Sequence, residues 1–282
     1  MYKIVERQEL APRIKLFKVV APEIARKARP GQFIILRIDD EGERIPLTIA
    51  DYDAGEGTVT IIFQEVGRST ELLGEMQMGD YLLDFAGPLG CPSDIEEFGT
   101  VVCIGGGVGV APVFPIARAL HQAGNRVISI IGARTADMLI WEDEMRAVSS
   151  ELYVASDDGS CGIKGYVTDI LKEVLVKETV NRVVAIGPLV MMHAAARVTP
   201  QDISLLVSLN PIMVDGTGMC GACRIEVANG TKFACVDGPE FDGHQVNWEL
   251  ATMRAGMFVC EEQQAMQIEK GECRCQSSPR SN

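Results

Sequence analysis

The segment CIGGGVGVAPVFPIARAL, Cys103–Leu120, decides the fold of this chain, because an apolar strand passes through a glycine-rich turn into a helix. The four glycines of this turn allow positive φ values and let a ligand approach the backbone. The start of the helix offers free N–H groups and a partial positive charge to a pyrophosphate. Val110 takes the last glycine position of the G-x-G-x-x-G pattern, so a tight turn before a packed helix stays the alternative for this motif alone.

Strands and helices alternate around this segment, from about Gly99 to Asn210. The strand-like runs are TVVCIGGG, RVISIIGAR, ELYVAS, RVVAIG and ISLLVSL, and a helical segment follows each of the first four. Apolar strands that alternate with helices predict a parallel sheet covered on both faces.

Polar residues and glycines follow several of these strands. Ligands of parallel sheets bind at the carboxyl ends of the strands, so these residues are predicted to converge on one nucleotide site. They are Arg134, Thr135, Asp157, Asp158, Gly187 and Pro188. Arg134 could meet a 2′-phosphate or stack on adenine, which leaves the choice between NAD(H) and NADP(H) open.

The region from Met1 to about Phe98 has a different pattern. It contains six short strand-like runs broken by turn residues: KIVERQEL, IKLFKVVA, GQFIILRI, PLTIADYD, TVTIIFQEV and DYLLDFA. Such runs with little helix between them predict an antiparallel barrel. One helix is expected over ELLGEMQ, with Ser69 or Thr70 as its cap.

Two short motifs in the barrel region suit phosphate oxygens. Arg44 stands two residues before Pro46, at the start of a predicted strand where the missing N–H harms no ladder. Further on, Gly67, Ser69 and Thr70 lie at a predicted helix start. Helix capping alone would also explain the serine and the threonine.

Composition limits the class of protein. The chain has 282 residues, enough for two or three modules, and a formal net charge of −13 that argues against a nucleic-acid surface. It shows neither an apolar run of about 20 residues nor a secretory signal, so we expect a cytoplasmic protein. Nine cysteines in that compartment indicate metal-binding, catalytic or buried thiols rather than disulfides.

The segment VDGTGMCGACRIEVANGTKFAC, Val214–Cys235, concentrates three of these cysteines. Between the second and the third, Asn229-Gly230 predicts a hairpin with a two-residue turn. If Ala228 faces Thr231, Arg224 faces Cys235, and Cys235 returns beside Cys223.

The spacing of the cysteines indicates a metal site. Asp215-x4-Cys220-x2-Cys223-x11-Cys235 would match the start of the plant-type [2Fe–2S] pattern if Asp215 were cysteine. Zinc is the rival, although a second C-x2-C pair or a histidine pair is missing. Asp215 is either the fourth ligand or the first residue of an Asx turn.

The other candidates for chemistry are few. We expect surface or packing roles for His121, His193 and His244. Cys91, Cys103 and Cys161 are interpreted as small core or near-site residues, and the tail cysteines Cys260, Cys273 and Cys275 receive no role.

Seven motifs together carry a resemblance that covers nearly the whole chain. They are R-x-P-L-T, V-G-R-S-T, G-P-L-G, G-G-G-V-G-V-A-P, S-D-D-G-S-C-G, G-P-L-V-M-M and the cysteine hairpin. In these the chain resembles the ferredoxin–NADP reductase superfamily, and within it the electron-transfer subunits that carry FAD and a [2Fe–2S] cluster. It looks most like the small subunits of NADH-dependent ferredoxin:NADP oxidoreductases, and next like the electron-transfer subunits of dihydroorotate dehydrogenase.

The resemblance implies three modules: an FAD-binding barrel over residues 1–98, an NAD(P)-binding α/β domain over 99–210, and a [2Fe–2S] domain with a tail over 211–282. Arg44 and the V-G-R-S-T motif would hold FAD phosphates, and the Thr48 hydroxyl would lie near flavin N5. The positions implied for cofactor binding are Arg44, Pro46, Leu47, Thr48, Ile49, Gly67, Arg68, Ser69, Thr70, Gly106, Gly107, Val108, Gly109, Ala111, Pro112, Arg134, Asp157, Asp158, Gly187, Pro188 and Met191. The implied cluster ligands are Asp215, Cys220, Cys223 and Cys235.

Two departures from the superfamily matter. With aspartate at position 215, the chain resembles the small subunits of the bifurcating reductases, whereas the dihydroorotate subunits usually have cysteine at that position. Ile186 replaces the cysteine of the C-G-P sequence in many reductases, so no thiol acts at that position. The expected chemistry is hydride exchange between a nicotinamide and FAD, followed by single-electron steps. We expect it to take place in a complex with a larger partner subunit that carries flavin and iron–sulfur centres. The expected output of this complex is electron bifurcation between ferredoxin and NADP. A zinc-stabilised regulator that binds nucleotide without turnover is the hypothesis from another class.

Overall fold

A computed structural model of the chain describes residues 1–228, 230–258 and 261–262. Its N-terminal part is an antiparallel seven-stranded barrel with the strand order β6-β1-β2-β5-β4-β3-β7. These strands are β1 Tyr2–Ala11, β2 Ile14–Val20, β3 Phe33–Arg37, β4 Ile45–Asp53, β5 Thr58–Gln64, β6 Tyr81–Leu82 and β7 Asp84–Leu89. The barrel prediction is therefore confirmed, with one difference, because the run DYLLDFA forms two short strands, β6 and β7, instead of one.

Two helices accompany the barrel, α1 Pro22–Ala25 and α2 Arg68–Glu75. The predicted cap of α2 is wrong by two or three residues, because Gly67 is the cap and Ser69 and Thr70 lie inside the helix. Thr70 still serves the helix start, since its Oγ1 accepts hydrogen bonds from the N–H groups of Val66 and Gly67. Thr70, at the third helical position, thus holds the helix start through its side chain although Gly67 is the cap residue.

Among the described residues the second sheet contains six parallel strands and one short antiparallel edge strand, β16, in the order β11-β10-β9-β8-β12-β13-β16. Its strands are β8 Thr100–Gly106, β9 Arg126–Ala133, β10 Glu151–Ser156, β11 Ile163–Lys164, β12 Arg182–Ile186, β13 Ser204–Ser208 and β16 Glu240–Asp242. The helices between them are α3 Val110–Gln122, α4 Glu142–Ala147, α5 Val167–Lys177 and α6 Leu189–Val198. The central strands β8 and β9 are buried along almost their whole length, as expected for a sheet covered on both faces.

The cysteine region forms a two-stranded hairpin, β14 Arg224–Val227 and β15 Gly230–Phe233, followed by the short helix α7 Ala234–Asp237 and, after β16, by α8 Trp248–Ala255. The predicted register is wrong, because Arg224 pairs with Phe233 and not with Cys235. Gly230, assigned to the turn, begins the returning strand, and Ala228 adopts the left-handed φ of 55°. Asn229 and the tail cysteines Cys260, Cys273 and Cys275 lie outside the described residues.

Three buried clusters hold these parts together. One fills the barrel around Phe17, Phe63 and Phe85. A second lies between the barrel and one face of the second sheet, and the third covers the opposite face and includes Cys223 and Cys235. The strand β16, which follows the cysteine hairpin, pairs antiparallel with β13. None of the helices that the structure describes combines the length and the apolar character needed to cross a membrane.

Candidate cofactor site and cysteine loop

A cleft with a volume of about 1120 Å³ separates the barrel from the carboxyl ends of the parallel strands. The predicted cofactor residues that line it are Pro46, Leu47, Thr48, Thr70, Gly106, Gly107, Val108, Gly109, Ala111, Pro112, Arg134, Asp157, Gly187, Pro188 and Met191. Residues from both halves thus face one space, where a flavin and a nicotinamide nucleotide could meet.

The register of the second sheet builds one wall of this cleft. Gly106 at the end of β8 pairs with Gly132 of β9, and Gly105 pairs with Ile186 of β12. The chain continues from β8 to β9 on one side, whereas β12 lies on the other side of β8. Because the order of connection reverses between β8 and β12, a crevice opens there, and the glycine turn and Gly187 border it.

The glycines of the turn have separate physical roles. A methyl group at Gly109 would overlap the carbonyl oxygen of Ile186, and one at Gly106 would overlap the sulfur of Met191. Gly109 lets the start of α3 approach the end of β12 closely, and Gly106 lets the end of β8 approach α6. Gly107 has a φ of 56°, and a methyl group there would meet no atom within 4 Å, so it faces open space. The turn therefore forms an open cradle before the N-terminus of α3, which fits a pyrophosphate.

The barrel side of the cleft is the start of β4. Thr48 pairs with Phe33 of β3, and both line the cleft together with Pro46. The Thr48 hydroxyl has no hydrogen-bond partner among the described residues, and the residue is half-buried. A polar group with a free donor and acceptor beside apolar side chains suits a planar heteroaromatic ring such as a flavin.

Six of the predicted cofactor residues do not line the cleft: Arg44, Ile49, Gly67, Arg68, Ser69 and Asp158. Ile49 lies in the barrel core. Arg44 is exposed near the mouth of the cleft, one residue before Ile45, which lines it. The Ser69 hydroxyl donates to Glu43 Oε2 at 2.8 Å. An anion that bound at Ser69 would have to replace that carboxylate.

The two aspartates after β10 are placed differently. Asp157 lines the cleft, whereas Asp158 Oδ1 accepts hydrogen bonds from the hydroxyl and the N–H of Ser160. These bonds from Ser160 hold the pKa of Asp158 below its usual value. The Ser160 hydroxyl oxygen accepts from the N–H of Ala136 at 2.8 Å, which ties this loop to the segment after Arg134. Asp158 therefore shapes the rim, while Asp157 and Arg134 face the cleft.

Sequence reasoning missed a further group of residues that line the cleft. Among them are Phe33, Tyr166, Ser208, Leu209, Asn210 and Met213. The signal for Ser208 to Asn210 was present, because they end β13 or follow directly after it, and the strand-end rule applies there as well. No comparable signal existed for Tyr166, whose exposure depends on how α5 begins.

Two of the four predicted cluster ligands lie together. The sulfur atoms of Cys223 and Cys235 are 3.2 Å apart, and both residues are buried. Burial, followed by the hydrogen bond with Cys223, raises the pKa of the Cys235 thiol to about 12. The prediction that Cys235 returns beside Cys223 holds although the register was wrong, because the first residues of α7 carry Cys235 back to the start of β14.

The remaining predicted ligands lie on the loop before β14. Asp215 Oδ1 accepts from the N–H of Thr217 at 2.8 Å, and its Oδ2 accepts from the N–H of Cys220 at 2.7 Å. These bonds, the first above all, lower the pKa of Asp215, and they form the Asx turn that was the alternative role. Cys220 is exposed. Among the described residues no group of three or more histidine, cysteine or acidic side chains is placed to hold a metal ion.

The chemistry of the donor set nevertheless fits a thiolate-bound cluster. Two buried free thiols lie in contact, and a third thiol follows in a loop whose glycines at 216, 218 and 221 have positive φ values. Such a loop can turn its backbone N–H groups toward inorganic sulfide. Binding of metal would also displace the proton that burial keeps on the Cys235 thiol.

The other cysteines and the histidines have structural surroundings. Burial raises the pKa of Cys103 to about 12, as expected of a core thiol. Cys91 is exposed, and its sulfur lies 3.2 Å from the carbonyl oxygen of Val236, next to Cys235. His193 stacks on Trp248, and the His244 Nε2 lies 3.1 Å from the carbonyl oxygen of Ile203.

Comparison with known proteins supports two parts of this description. Residues 210–247 match the iron–sulfur cluster binding domain of dihydroorotate dehydrogenase B, and residues 103–197 match the oxidoreductase NAD-binding domain. The first match contains the cysteine loop and hairpin, and the second contains the glycine turn.

Relatives and one solved structure match nearly the whole chain. A protein of Clostridium beijerinckii described as "uncharacterized protein in adh 3'region" is 48% identical, over 96% of this chain and 95% of its own length. A "dihydroorotate dehydrogenase B (NAD(+)), electron transfer subunit homolog" of Thermotoga maritima is 44% identical, over 95% and 94%. A chain of the NADH-dependent reduced ferredoxin-NADP oxidoreductase, solved for insight into flavin-based electron bifurcation, has 43% identity and a TM-score of 0.90, over 96% and 98%.

Proposed function

Because this chain belongs to the family of electron-transfer subunits of dihydroorotate dehydrogenase B and their homologues, we propose that it passes electrons between NAD(H), FAD and a [2Fe–2S] cluster in an electron-bifurcating complex. The chain is an oxidoreductase subunit, and its homologues serve larger catalytic partners. The observation that carries the finer proposal is the likeness to the bifurcating oxidoreductase chain over 96% of the sequence. We keep the prediction of a cytoplasmic location.

When bound, the cofactors would supply hydride exchange between nicotinamide C4 and flavin N5, and the cluster would carry single electrons. The protein needs to supply position and exclusion of water rather than an acid or a base.

The nucleotide half of the cleft is proposed to bind NAD(H) or NADP(H). Gly107 leaves room for the pyrophosphate, and the N-terminus of α3 attracts its charge. Gly187, Pro188 and Met191 would contact the nicotinamide side, and Arg134 with Asp157 the adenosine side. The preference for NAD(H) follows the family names and stays a proposal.

The barrel half is proposed to bind FAD. Pro46 and Leu47 would cover the ring, and the free hydroxyl of Thr48 would hydrogen-bond near N5. Arg44, Gly67, Arg68, Ser69 and Thr70 are proposed for the phosphates. Of these, Thr70 lines the cleft and the other four lie outside its lining.

The cysteine loop is proposed to hold the [2Fe–2S] cluster through Cys220, Cys223 and Cys235, with Asp215 as the fourth ligand. The contact between Cys223 and Cys235 and the match of residues 210–247 support the three thiols. Each carboxylate oxygen of Asp215 accepts one hydrogen bond from a backbone N–H, which leaves further lone pairs free to bind iron.

The experiment that tests the function is purification of the complex from its natural host without air. A large flavoprotein subunit with further iron–sulfur clusters should co-purify, and NADP⁺ reduction by NADH should depend on reduced ferredoxin. A complex that moves electrons from NADH to NADP⁺ without any dependence on ferredoxin would contradict bifurcation.

A dihydroorotate dehydrogenase complex is the second candidate, because residues 210–247 match its cluster domain and several relatives carry its name. In that case a barrel enzyme that oxidises dihydroorotate should co-purify. Aspartate at position 215 favours the first candidate, since the dihydroorotate subunits usually have cysteine at this position.

A further inference from the structure

Two elements begin at the cleft and continue away from it in contact with each other. The strand β4 presents Thr48 to the cleft, and the helix α3 follows the glycine turn. The two elements pack against each other. A contact that joins β4 and α3 away from the cleft therefore also affects their relative positions at the cleft.

An ion pair joins β4 and α3 away from the cleft. Arg118 Nη2 lies 2.6 Å from Asp51 Oδ1, which places the pair three residues beyond Thr48 on the strand and two helical turns beyond Ala111 on the helix. The same carboxylate oxygen accepts a hydrogen bond from the N–H of Tyr52 at 2.8 Å. A break in the β4–β5 register between Ile49 and Asp51 places this carboxylate. It is thus fixed to its own strand.

The guanidinium is fixed as well. It lies over the ring of Phe114, 5.0 Å from the ring centre, and that ring packs edge-on against Trp141 at 5.0 Å. Beneath the ion pair, Ala50 and Ile62 of the barrel belong to the same buried cluster as Ala111 and Phe114 of the helix. Each charge is therefore held by its own half of the molecule, so the pair forms a rigid link across the boundary.

We propose that the Asp51–Arg118 ion pair is a positioning contact that fixes the flavin-facing start of β4 against the nucleotide-binding start of α3. This inference rests on the proposed function. It assigns to both residues a role in the hydride step although neither lines the cleft. In that step the C4–H bond of NADH breaks, the hydride with both electrons joins flavin N5, NADH becomes NAD⁺ and the flavin is reduced.

Two physical facts separate this role from simple stabilisation. The side chains of Arg118 and Asp51 are 28% and 35% exposed, and partly exposed ion pairs contribute little to stability. Hydride transfer, in contrast, is steeply sensitive to distance, and a displacement of about 1 Å can lower a rate about a hundredfold. The variants should therefore fold and bind cofactors but react slowly.

The test compares Asp51→Asn, Arg118→Gln and the charge swap that combines Asp51→Arg with Arg118→Asp in the full chain. Arg37→Gln is the matched control, because Arg37 pairs with Asp84 at 2.8 Å with similar exposure but inside the barrel, between β3 and β7. FAD content, nucleotide affinity and single-turnover reduction of the flavin by NADH are measured for each. A second readout is the long-wavelength absorbance formed with a tetrahydronicotinamide analogue that cannot donate hydride, since this band requires the two rings to stack.

We expect both single variants to keep FAD and to bind the nucleotide within about twofold of the wild type, while hydride transfer falls about tenfold or more. The stacking band should weaken in the same variants, and the charge swap should restore part of both signals. Arg37→Gln should behave like the wild type. Normal hydride transfer with a normal band in both single variants would overturn the inference, and so would loss of FAD in them, because the pair would then act on folding or binding.

Failure of the proposed function would look different. A wild-type chain that binds no flavin, or whose flavin NADH does not reduce, would contradict the function before any variant is compared. A wild type that reacts, together with variants that react equally well, would contradict the positioning role alone.

Discussion

The cleft and the cysteine loop obtain their geometry in opposite ways. The nucleotide wall of the cleft consists of strand ends whose positions follow from a buried parallel sheet, such as the pairing of Gly106 with Gly132. The cysteine loop depends on left-handed glycines, on the Asx turn of Asp215 and on a short hairpin. In the described residues the cleft brings most of its predicted residues together, whereas the loop brings two ligands together. A site made by sheet register exists before its ligand, and a site made by a loop needs its ligand's bonds.

The difference extends to protonation. Cys223 and Cys235 lie in contact, and burial raises the pKa of the Cys235 thiol to about 12. Two thiolates in this position would repel each other, so both can serve as anionic ligands together only when a metal ion compensates their charge. The open cradle at Gly107 has no such requirement.

Replacement of one buried thiol should have the largest effect. Cys235→Ser should lose nearly all iron and acid-labile sulfide, because serine is a poor ligand and the pair with Cys223 is broken. Iron, sulfide and visible absorbance measure this. Cys161→Ser is the control, since Cys161 lies in the loop after β10, and its cluster content should equal that of the wild type. Equal losses in both variants would erase the distinction between the two regions.

Substitution in the glycine turn tests whether the cleft is preformed. Gly109→Ala forces a methyl group onto the carbonyl of Ile186, and overpacking of this kind costs about 1–3 kcal/mol in the free energy of unfolding. Nucleotide affinity should fall with it. Gly107→Ala meets open space and bears only the cost of a left-handed alanine, about 1 kcal/mol. Chemical denaturation of both variants checks the order, and a larger cost at Gly107 would contradict it.

Position 215 separates a ligand from a turn residue. Asp215→Asn keeps one acceptor oxygen, so one of the two N–H bonds is lost and cluster content should fall by a few-fold. Asp215→Cys should keep the cluster and change its visible and electron paramagnetic resonance spectra, because oxygen is replaced by sulfur. An Asp215→Cys variant with an unchanged spectrum would assign Asp215 to the turn alone.

The smallest effect is expected at the contact between Glu240 and Ser93. Glu240 begins β16, and its Oε1 accepts from the Ser93 hydroxyl at 2.5 Å. Burial raises the pKa of this enclosed carboxyl, although part of the residue surface remains accessible. The folded state therefore binds the proton more tightly than the unfolded state, whose glutamates titrate near about 4.3. The stability contributed by this group is present below that pH and is lost as pH rises through the folded pKa.

Glu240→Gln should remove this dependence, since glutamine does not titrate. Denaturation at pH 4 and at pH 8 should show the wild type losing stability relative to the variant as pH rises. A constant difference between the two proteins over that interval would contradict the assigned pKa direction.

Much of the fold could be predicted from sequence because the relevant residues act through periodic burial. The run RVISIIGAR is apolar over the length of a strand, and β9 is buried over nearly all of it, as a central strand of a parallel sheet is. The convergence of Arg134, Asp157 and Gly187 followed from the strand-end rule alone. The same rule would have found Asn210 if it had been applied to β13.

The errors concern local turns, where a single residue decides the outcome. Asn-Gly is the usual signal for a two-residue turn, yet Gly230 pairs in the strand and Ala228 takes the left-handed conformation. The sequence pattern predicts that Ser69 can cap α2, but its hydroxyl donates a hydrogen bond to Glu43, which is distant in sequence. A contact between residues far apart in the chain thus occupies the hydroxyl that local preference assigns to the cap, whereas the use of Ser69 for a phosphate stays a proposal.

The most direct measurement is the cofactor content of the full chain prepared without air. Our account predicts bound FAD, together with about two iron atoms and as many acid-labile sulfides per chain, and it predicts that NADH reduces the flavin, which passes electrons on to the cluster. A colourless preparation that contains zinc and neither flavin nor sulfide would contradict it.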